Sequence, residues 1–164
     1  MTKLIVASDS HGSSMALQRV LDKEQDARAL FFLGDGLRDL ETACAPFPGL
    51  WVYAVAGNCD MGALEPAEAV TSFDGVNLLY THGHLYGVKS GEERLWYAAR
   101  SRGVQLALFG HTHIPFCEES EGVTLFNPGS VGRPWRGQAT YGVILLDKGK
   151  IVECRHENVP ALWE

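Results

Sequence analysis

Residues 4–11 read Leu4-Ile5-Val6-Ala7-Ser8-Asp9-Ser10-His11, an apolar run that ends on a carboxylate and an imidazole. A short apolar run of this kind is typical of a buried strand. The pattern recurs in four further runs, which lead to polar residues at positions 35, 58, 82 and 111. In α/β folds the carboxyl ends of the strands are where ligands bind. The sequence therefore predicts an α/β protein whose polar residues gather at one edge of its sheets.

The first half of the chain alternates between strand-like and helix-like segments. Strands are predicted over 3–8, 29–33 and 50–56, and helices over 13–24 and 37–45. The first helix is expected to begin at an N-cap serine and to bury one apolar face. The N-cap is Ser13 or Ser14, and the face comprises Met15, Leu17, Val20 and Leu21. This β-α-β-α-β order predicts a parallel sheet with right-handed crossovers.

The second half of the chain is richer in strands. Asp74-Gly75 separates two strand-like runs, 70–73 and 76–80, and predicts a hairpin. A helix is predicted over 90–102, with capping-box spacing between Ser90 and Glu93 and a stop at Gly103. Further strands are predicted over 104–109, 114–119, 123–126, 140–146 and 150–156. We expect two stacked sheets with helices outside, and, since nothing marks a linker or repeat, one domain over 1–164.

The charge and composition of the chain exclude several classes of protein. A net charge of −6 and a pI near 5.5 argue against a protein that coats nucleic acid, which is normally basic. No segment reaches the roughly 18 apolar residues that span a bilayer, and the N-terminus does not resemble a secretory signal. The four cysteines lack CxxC spacing. We expect a reduced, cytoplasmic protein without a membrane partner.

Seven nitrogen and oxygen side chains follow the predicted strands and suggest a metal site. They are Asp9, His11, Asp35, Asn58, His82, His111 and His113. Taken singly, an aspartate after a strand is usually a helix cap or turn former, and a lone histidine is usually hydrogen-bonded. Five motifs of the same kind are harder to explain in that way. Imidazole suits transition metals and carboxylate oxygen suits harder ions, so this set favours a metal centre, with two ions expected.

These motifs resemble those of the calcineurin-like metallophosphoesterases, in particular their small bacterial and archaeal phosphodiesterase branch. The resemblance runs from Lys3 to about Arg133 and depends on several ordered motifs. They are Asp9-Ser10-His11-Gly12, Gly34-Asp35-Gly36, Gly57-Asn58-Cys59-Asp60, Thr81-His82-Gly83-His84, Gly110-His111-Thr112-His113 and Asn127-Pro128-Gly129-Ser130. The resemblance implies a four-layer αββα sandwich of two mixed β-sheets flanked by helices.

The same resemblance implies a two-metal centre with Asp35 as the shared ligand. One ion is expected on Asp9, His11, Asp35 and His113, and the other on Asp35, Asn58, His82 and His111. Manganese is the favoured metal, while the ligands also suit iron, zinc, cobalt and nickel. The implied reaction is hydrolysis of a small phosphodiester by a hydroxide that bridges the two ions.

Other residues near these motifs carry less specific predictions. In the phosphoprotein-phosphatase branch a histidine follows the asparagine ligand, whereas here the residue is Cys59, so the general acid is unidentified and His84 is our first candidate. Asp39 and Asp60 are candidates to orient the imidazole ligands, although Asp39 also fits a helix cap. The Asn127-Pro128-Gly129-Ser130 stretch is predicted to be a turn.

The segment after that turn offers groups for the substrate. Arg133 and Arg136 are candidates to hold a phosphate oxygen, with a solvated loop as the favoured alternative. Trp135 is a candidate to stack on a base or aryl group, although core packing or an interface is commoner for tryptophan.

The sequence thus predicts a metal-dependent phosphodiesterase with catalytic roles for Asp35 and His84. A non-catalytic protein-binding scaffold on the same fold is the rival from another class. A nuclease is disfavoured because the chain lacks a cluster of basic residues, and a phosphomonoesterase is disfavoured by Cys59. The oligomeric state is left open, since an exposed apolar face on the antiparallel strands would allow a homo-oligomer to form.

Overall fold

The computed structural model describes residues 1–162, and in that range ten strands form two five-stranded sheets. The strands are β1 (Thr2–Ala7), β2 (Ala29–Phe32), β3 (Trp51–Ala54), β4 (Glu68–Phe73), β5 (Val76–Thr81), β6 (Leu106–Leu108), β7 (Pro115–Ser120), β8 (Val123–Pro128), β9 (Thr140–Asp147) and β10 (Lys150–Asn158). The helices are α1 (Ser14–Lys23), α2 (Leu37–Cys44) and α3 (Glu93–Ser101). Short 3₁₀ turns lie at His84–Tyr86 and Val88–Ser90.

The two sheets are mixed and carry helices on their outer faces. The first sheet has the strand order β10-β9-β1-β2-β3, and the second has β4-β5-β6-β8-β7. Strands β1, β2 and β3 run parallel, as do β5, β6 and β8. The α1 and α2 helices pack on the first sheet and α3 on the second, while a third apolar cluster fills the space between the sheets. The predicted αββα sandwich is confirmed.

Parallel strands bring the ends of the predicted motifs to one place. The loops that follow β1 and β2 face those that follow β5 and β6, because the carboxyl ends of both parallel sets meet at the same end of the sandwich. Backbone hydrogen bonds join these loops directly, from Asp9 N–H to Gly34 O (2.9 Å) and from Gly110 N–H to His82 O (2.9 Å). The backbone thus joins the loops in two pairs, one pair at each sheet.

Three local predictions were wrong. Met15 is 62% exposed, because at 100° per residue it lies about 200° from Leu17 and faces away from the sheet. The capping box of Ser90 and Glu93 does not form: α3 begins only at Glu93, after a 3₁₀ turn and Gly91 with a φ of +143°. Asn127 and Pro128 are the last residues of β8 and not part of a turn.

The end of α3 and the hairpin follow the sequence prediction. Gly103, with a φ of +67°, ends α3, and Asp74 and Gly75 both adopt positive φ in the turn between β4 and β5. None of the helices in residues 1–162 has the length and apolar character to cross a membrane.

Candidate metal centre

Five of the predicted ligands have an unusual backbone conformation. Asp9, His11, Asp35, His111 and His113 have φ values of +57°, +42°, +58°, +72° and +63°. Within residues 1–162 the only other non-glycine residues with positive φ each precede a glycine in a hairpin turn. A left-handed residue outside such a turn costs of order 1 kcal/mol or more, and this strain clusters at functional sites. The loops are thus shaped to aim side chains inward at some cost to stability.

Asp9, His11 and His113 form a first candidate ligand set, a group that could hold a metal ion. Asp9 Oδ1 lies 3.6 Å from His11 Nε2 and 3.3 Å from His113 Nε2. The other carboxylate oxygen, Oδ2, accepts hydrogen bonds from Ser8 Oγ (2.6 Å) and from the His111 N–H (3.0 Å). Asp9 therefore has one oxygen fixed by the protein and the other directed at the two imidazoles.

Asp35, His82 and His111 form a second ligand set. Asp35 Oδ2 is 3.3 Å from His82 Nε2, which lies 3.2 Å from His111 Nδ1. Oδ1 of Asp35 accepts a 2.8 Å hydrogen bond from the Cys59 N–H. Asp35 Oδ2 is also 3.6 Å from His11 Nε2 in the first set, and Asp9 Oδ1 is 3.7 Å from His82 Nε2 in the second, so a carboxylate oxygen of each set lies close to the other set.

The donor atoms fit divalent metal ions. Asp9 Oδ1 and His11 Nε2 are buried, and neither has a hydrogen-bond partner within residues 1–162. Leaving such atoms unpaired costs about 1–3 kcal/mol each, and a cation would compensate for it. Two atoms bound to one ion at about 2.1 Å are about 3–3.5 Å apart, close to the spacings found here. In each set the nitrogen and oxygen atoms offered as ligands all lie within 4.8 Å of one another, so the set could hold an ion.

Backbone carbonyls orient two of the imidazoles. His82 Nδ1 lies 2.6 Å from the Leu33 carbonyl oxygen, and His113 Nδ1 lies 2.6 Å from that of Arg133. Each contact makes Nδ1 the protonated nitrogen and leaves the lone pair of Nε2 pointing at the carboxylates. Asp39 and Asp60, the candidates that the sequence offered for this orienting role, bind a serine hydroxyl and backbone N–H groups instead.

Those two carboxylates hold the loops instead. Asp39 accepts hydrogen bonds from Ser10 Oγ and from the Gly12 N–H. Asp60 accepts hydrogen bonds from four backbone N–H groups, those of Asp35, Gly36, Leu37 and Gly57. Asp60 thus joins the loop after β2 to the loop after β3, and Asp39 ties the loop after β1 to α2.

The two ligand carboxylates are held in their charged form. Burial raises the pKa of Asp9, but the His11 and His113 imidazoles outweigh it and keep that pKa below its usual range. Burial also raises the pKa of Asp35, but the His82 imidazole and the hydrogen bond from the Cys59 N–H together lower it to about 2. Both groups are ionised at neutral pH, as metal binding requires.

The imidazoles of the centre differ in pKa. Burial lowers the pKa of His82, but the Asp35 and Asp9 carboxylates raise it overall. The pKa of His113 is raised, chiefly by its contact with Asp9. The pKa of His111 falls to about 4, because burial and the charges of His82 and Lys89 disfavour its protonation. Bound cations would oppose protonation at all of these positions.

His84 and Asn58 lie beside the two sets. The His84 ring is centred 5.3 Å from that of His82 and 6.1 Å from that of His111, and its buried Nδ1 has no partner within residues 1–162. Burial, then the charge of His82, lowers the pKa of His84. Asn58 is exposed, and its Nδ2 contacts Cys59 Sγ at 3.7 Å. Its role as a ligand stays a prediction.

Sequence reasoning missed the residues that support Asp9. Ser130 Oγ donates a 2.7 Å hydrogen bond to the Asp9 carbonyl and accepts one of the same length from the Arg133 N–H. Asn127 is fully buried, and its Nδ2 donates to Gly110 O at 3.1 Å. The signal was present in the Asn-Pro-Gly-Ser motif, but composition alone does not tell which side chains turn inward.

Comparison with known proteins identifies relatives across most of the chain. A family model described as a calcineurin-like phosphoesterase superfamily domain matches residues 2–149. The probable metallophosphoesterase YsnB of Bacillus subtilis is 34% identical over 88% of this chain and 84% of its own. Phosphodiesterase YfcE of Escherichia coli is 31% identical over 98% of this chain and 97% of its own.

Solved structures share the fold. The structure of the E. coli phosphoesterase YfcE matches with a TM-score of 0.68 and 28% identity, covering 97% of this chain and 100% of that one. A Vps29 single mutant from Entamoeba histolytica matches with a TM-score of 0.75 over 96% of this chain and 99% of that one. At 18% identity, this second likeness shows the fold alone.

Proposed function

The chain belongs to the calcineurin-like phosphoesterase superfamily, and on that premise we propose that it hydrolyses a small phosphodiester at a centre of two divalent metal ions. The observation that carries the proposal is the position of Asp35 Oδ2, 3.6 Å from His11 Nε2 and 3.3 Å from His82 Nε2. One carboxylate oxygen between two ligand sets is what a shared ligand requires. The phosphodiesterase YfcE, a relative over nearly the whole chain, supports the choice of substrate class.

We assign seven residues as ligands in two overlapping sets. One ion is held by Asp9, His11, Asp35 and His113, and the other by Asp35, Asn58, His82 and His111. The contacts within the two described sets support this division, and Asn58 is included because its neighbour Cys59 donates to Asp35. Manganese is our proposed metal because the family resemblance favours it, while the mixed oxygen and nitrogen donors also suit iron, zinc, cobalt and nickel.

The bound ions would supply Lewis acidity, which activates water as a nucleophile and offsets the charge of the phosphate. The carboxylates of Asp9 and Asp35 cancel only two of the four positive charges, so the loaded centre attracts an anion. The role of the protein is to keep both carboxylates ionised and the imidazole lone pairs aimed inward, which the hydrogen bonds to Ser8 and to the Leu33 carbonyl achieve.

His84 is our proposed proton donor to the leaving group, since its ring borders His82 and His111. Only the imidazolium form of His84 can donate this proton, and because burial and the charge of His82 lower the pKa of His84, that form is the minor one at neutral pH. The effect of His84→Gln on kcat should thus grow with leaving-group pKa, from about twofold for methyl p-nitrophenyl phosphate to about a hundredfold for methyl phenyl phosphate. Equal losses for both substrates would remove His84 from this role.

The direct test is hydrolysis of bis(p-nitrophenyl) phosphate by chelator-stripped protein with and without Mn²⁺. We expect turnover only with metal, and at least a hundredfold loss in Asp35→Asn. Asp22→Asn, an exposed change on α1, is the matched control and should behave as wild type. Metal-independent turnover, or full activity in Asp35→Asn, would contradict the proposal.

The rival function is a protein-binding scaffold, a role that the fold by itself does not exclude. Within the described residues, Asp9 Oδ1 and His11 Nε2 are buried without a hydrogen-bond partner, which a metal-dependent enzyme explains and protein binding alone does not require. Adding p-nitrophenyl phosphate and a single-stranded oligonucleotide to the same assay separates the diesterase from a phosphomonoesterase and a nuclease. Preferred turnover of either of these would replace the small diester as the substrate class.

A further inference from the structure

Two clefts of opposite character flank the metal centre. The first, which we name the acidic cleft, borders His11 and Asp35 and has a volume of about 620 Å³. Besides Asp35, it carries four carboxylates against one guanidinium. These groups are Asp39, Glu41, Asp60, Glu65 and Arg38.

The second cleft, which we name the tryptophan cleft, borders His111 and His113 and has a volume of about 720 Å³. Its walls include the apolar side chains of Ile114, Phe116 and Trp135, of which Ile114 is 46% and Trp135 68% exposed. Its charged groups are Lys89, Arg133 and Glu92. The two clefts therefore present opposite electrostatic environments to the two ester substituents of a bound diester.

Trp135 is held close to the centre by the backbone. The backbone N–H of Trp135 donates a 3.3 Å hydrogen bond to the His113 carbonyl. The imidazole of the same histidine contacts the Arg133 carbonyl at 2.6 Å. The loop that carries the indole is thus fastened at two points to a proposed ligand. An exposed aromatic ring next to a reaction centre offers a surface on which a planar group stacks.

We infer that the substrate is an unsymmetrical phosphodiester, with a planar aromatic substituent stacked on Trp135 and a neutral or cationic alcohol in the acidic cleft. This inference rests on the proposed function. Lys89 and Arg133 favour an aromatic substituent that is itself neutral or anionic, such as a nucleoside or a nitrophenyl group. The carboxylates of the acidic cleft repel an anionic substituent and attract a cationic one, although solvent screens this effect.

The first test is the effect of Trp135→Ala on methyl p-nitrophenyl phosphate. Stacking is the same in the ground and transition states, so KM should rise about 5- to 20-fold while kcat changes less than twofold. Trp135→Phe should recover most of the loss. Trp51→Ala, which removes another exposed tryptophan on β3, is the matched control and should leave KM unchanged. An unchanged KM in Trp135→Ala, or an equal rise in Trp51→Ala, would overturn the stacking role.

The second test compares p-nitrophenyl phosphorylcholine, which is cationic on one side, with methyl p-nitrophenyl phosphate. The double variant Glu41→Gln, Glu65→Gln should raise KM for the choline diester about two- to fivefold and leave KM for the methyl diester unchanged. Equal KM changes for both diesters would overturn the assignment of the acidic cleft. If wild-type protein with Mn²⁺ turned over neither diester, the proposed function would fail and this inference with it.

Discussion

Ser8→Ala tests whether the protein prepares Asp9 to bind metal. Ser8 Oγ donates the shorter of the two hydrogen bonds on Asp9 Oδ2, at 2.6 Å against 3.0 Å from the His111 N–H. Ser8 and Asp9 are both fully buried, so water cannot readily replace the hydroxyl. Loss of such an outer partner typically lowers metal affinity 10- to 100-fold, about 1.4–2.7 kcal/mol. A hydrogen bond to a charged group also contributes about 1.5–3 kcal/mol to folding.

The assay measures metal retention and stability together. Chelator-stripped protein is dialysed against a series of free Mn²⁺ concentrations, and bound metal is counted by plasma mass spectrometry. Tyr141→Phe is the matched control, because it also removes a buried hydroxyl that donates to a carboxylate, Glu24, at 2.5 Å. We expect both variants to lose stability in urea and only Ser8→Ala to lose metal affinity. Unchanged affinity in Ser8→Ala, with a stability loss equal to that of the control, would show that the Ser8 hydroxyl does not prepare Asp9 to bind metal.

Two further predictions concern close packing and pH. A Cβ at position 57 would lie 2.1 Å from Asp35 Oδ1. Gly57→Ala should therefore displace the carboxylate and reduce turnover at least tenfold, whereas Gly49→Ala, with open space around it, should not; equal activities would contradict this geometry. Burial and then the Glu24 carboxylate raise the pKa of Tyr141 above its ordinary 10.0, so folding favours the neutral phenol. This contribution to the free energy of unfolding is fully present below pH 10 and is lost progressively above it. Urea unfolding at pH 8 and pH 10.5 should show a larger alkaline loss in wild type than in Tyr141→Phe; parallel losses would exclude this residue as a cause.

The two-sheet architecture and the place of the site follow from patterns that the sequence displays directly. Apolar runs that end on Asp9, Asp35 and His82 predict strands whose polar ends converge, and the contacts between those side chains confirm the convergence. The Asp74-Gly75 hairpin was equally predictable from the sequence, because few residue pairs tolerate positive φ in a two-residue turn.

The internal organisation of the loops was not predictable from the sequence. Asp60 accepts four backbone hydrogen bonds, and Ser130 contacts Asp9, which is 121 positions away in the chain. These contacts depend on the paths of loops, and loops have no periodic sequence pattern from which a path could be predicted. Local signals also failed where backbone geometry overrode them. Ser90 and Glu93 have the spacing of a capping box, yet Gly91 at a φ of +143° breaks the helical path between them.

If Asp35 serves two metal ions, the number of ions bound per chain will depend on its carboxylate. Wild-type protein loaded with Mn²⁺ and dialysed should retain two ions, and Asp35→Asn should fall below one, because both sets lose a ligand. His113→Ala and His111→Ala should each lose mainly one ion. Two ions retained by Asp35→Asn, with wild-type turnover, would contradict the shared-ligand model.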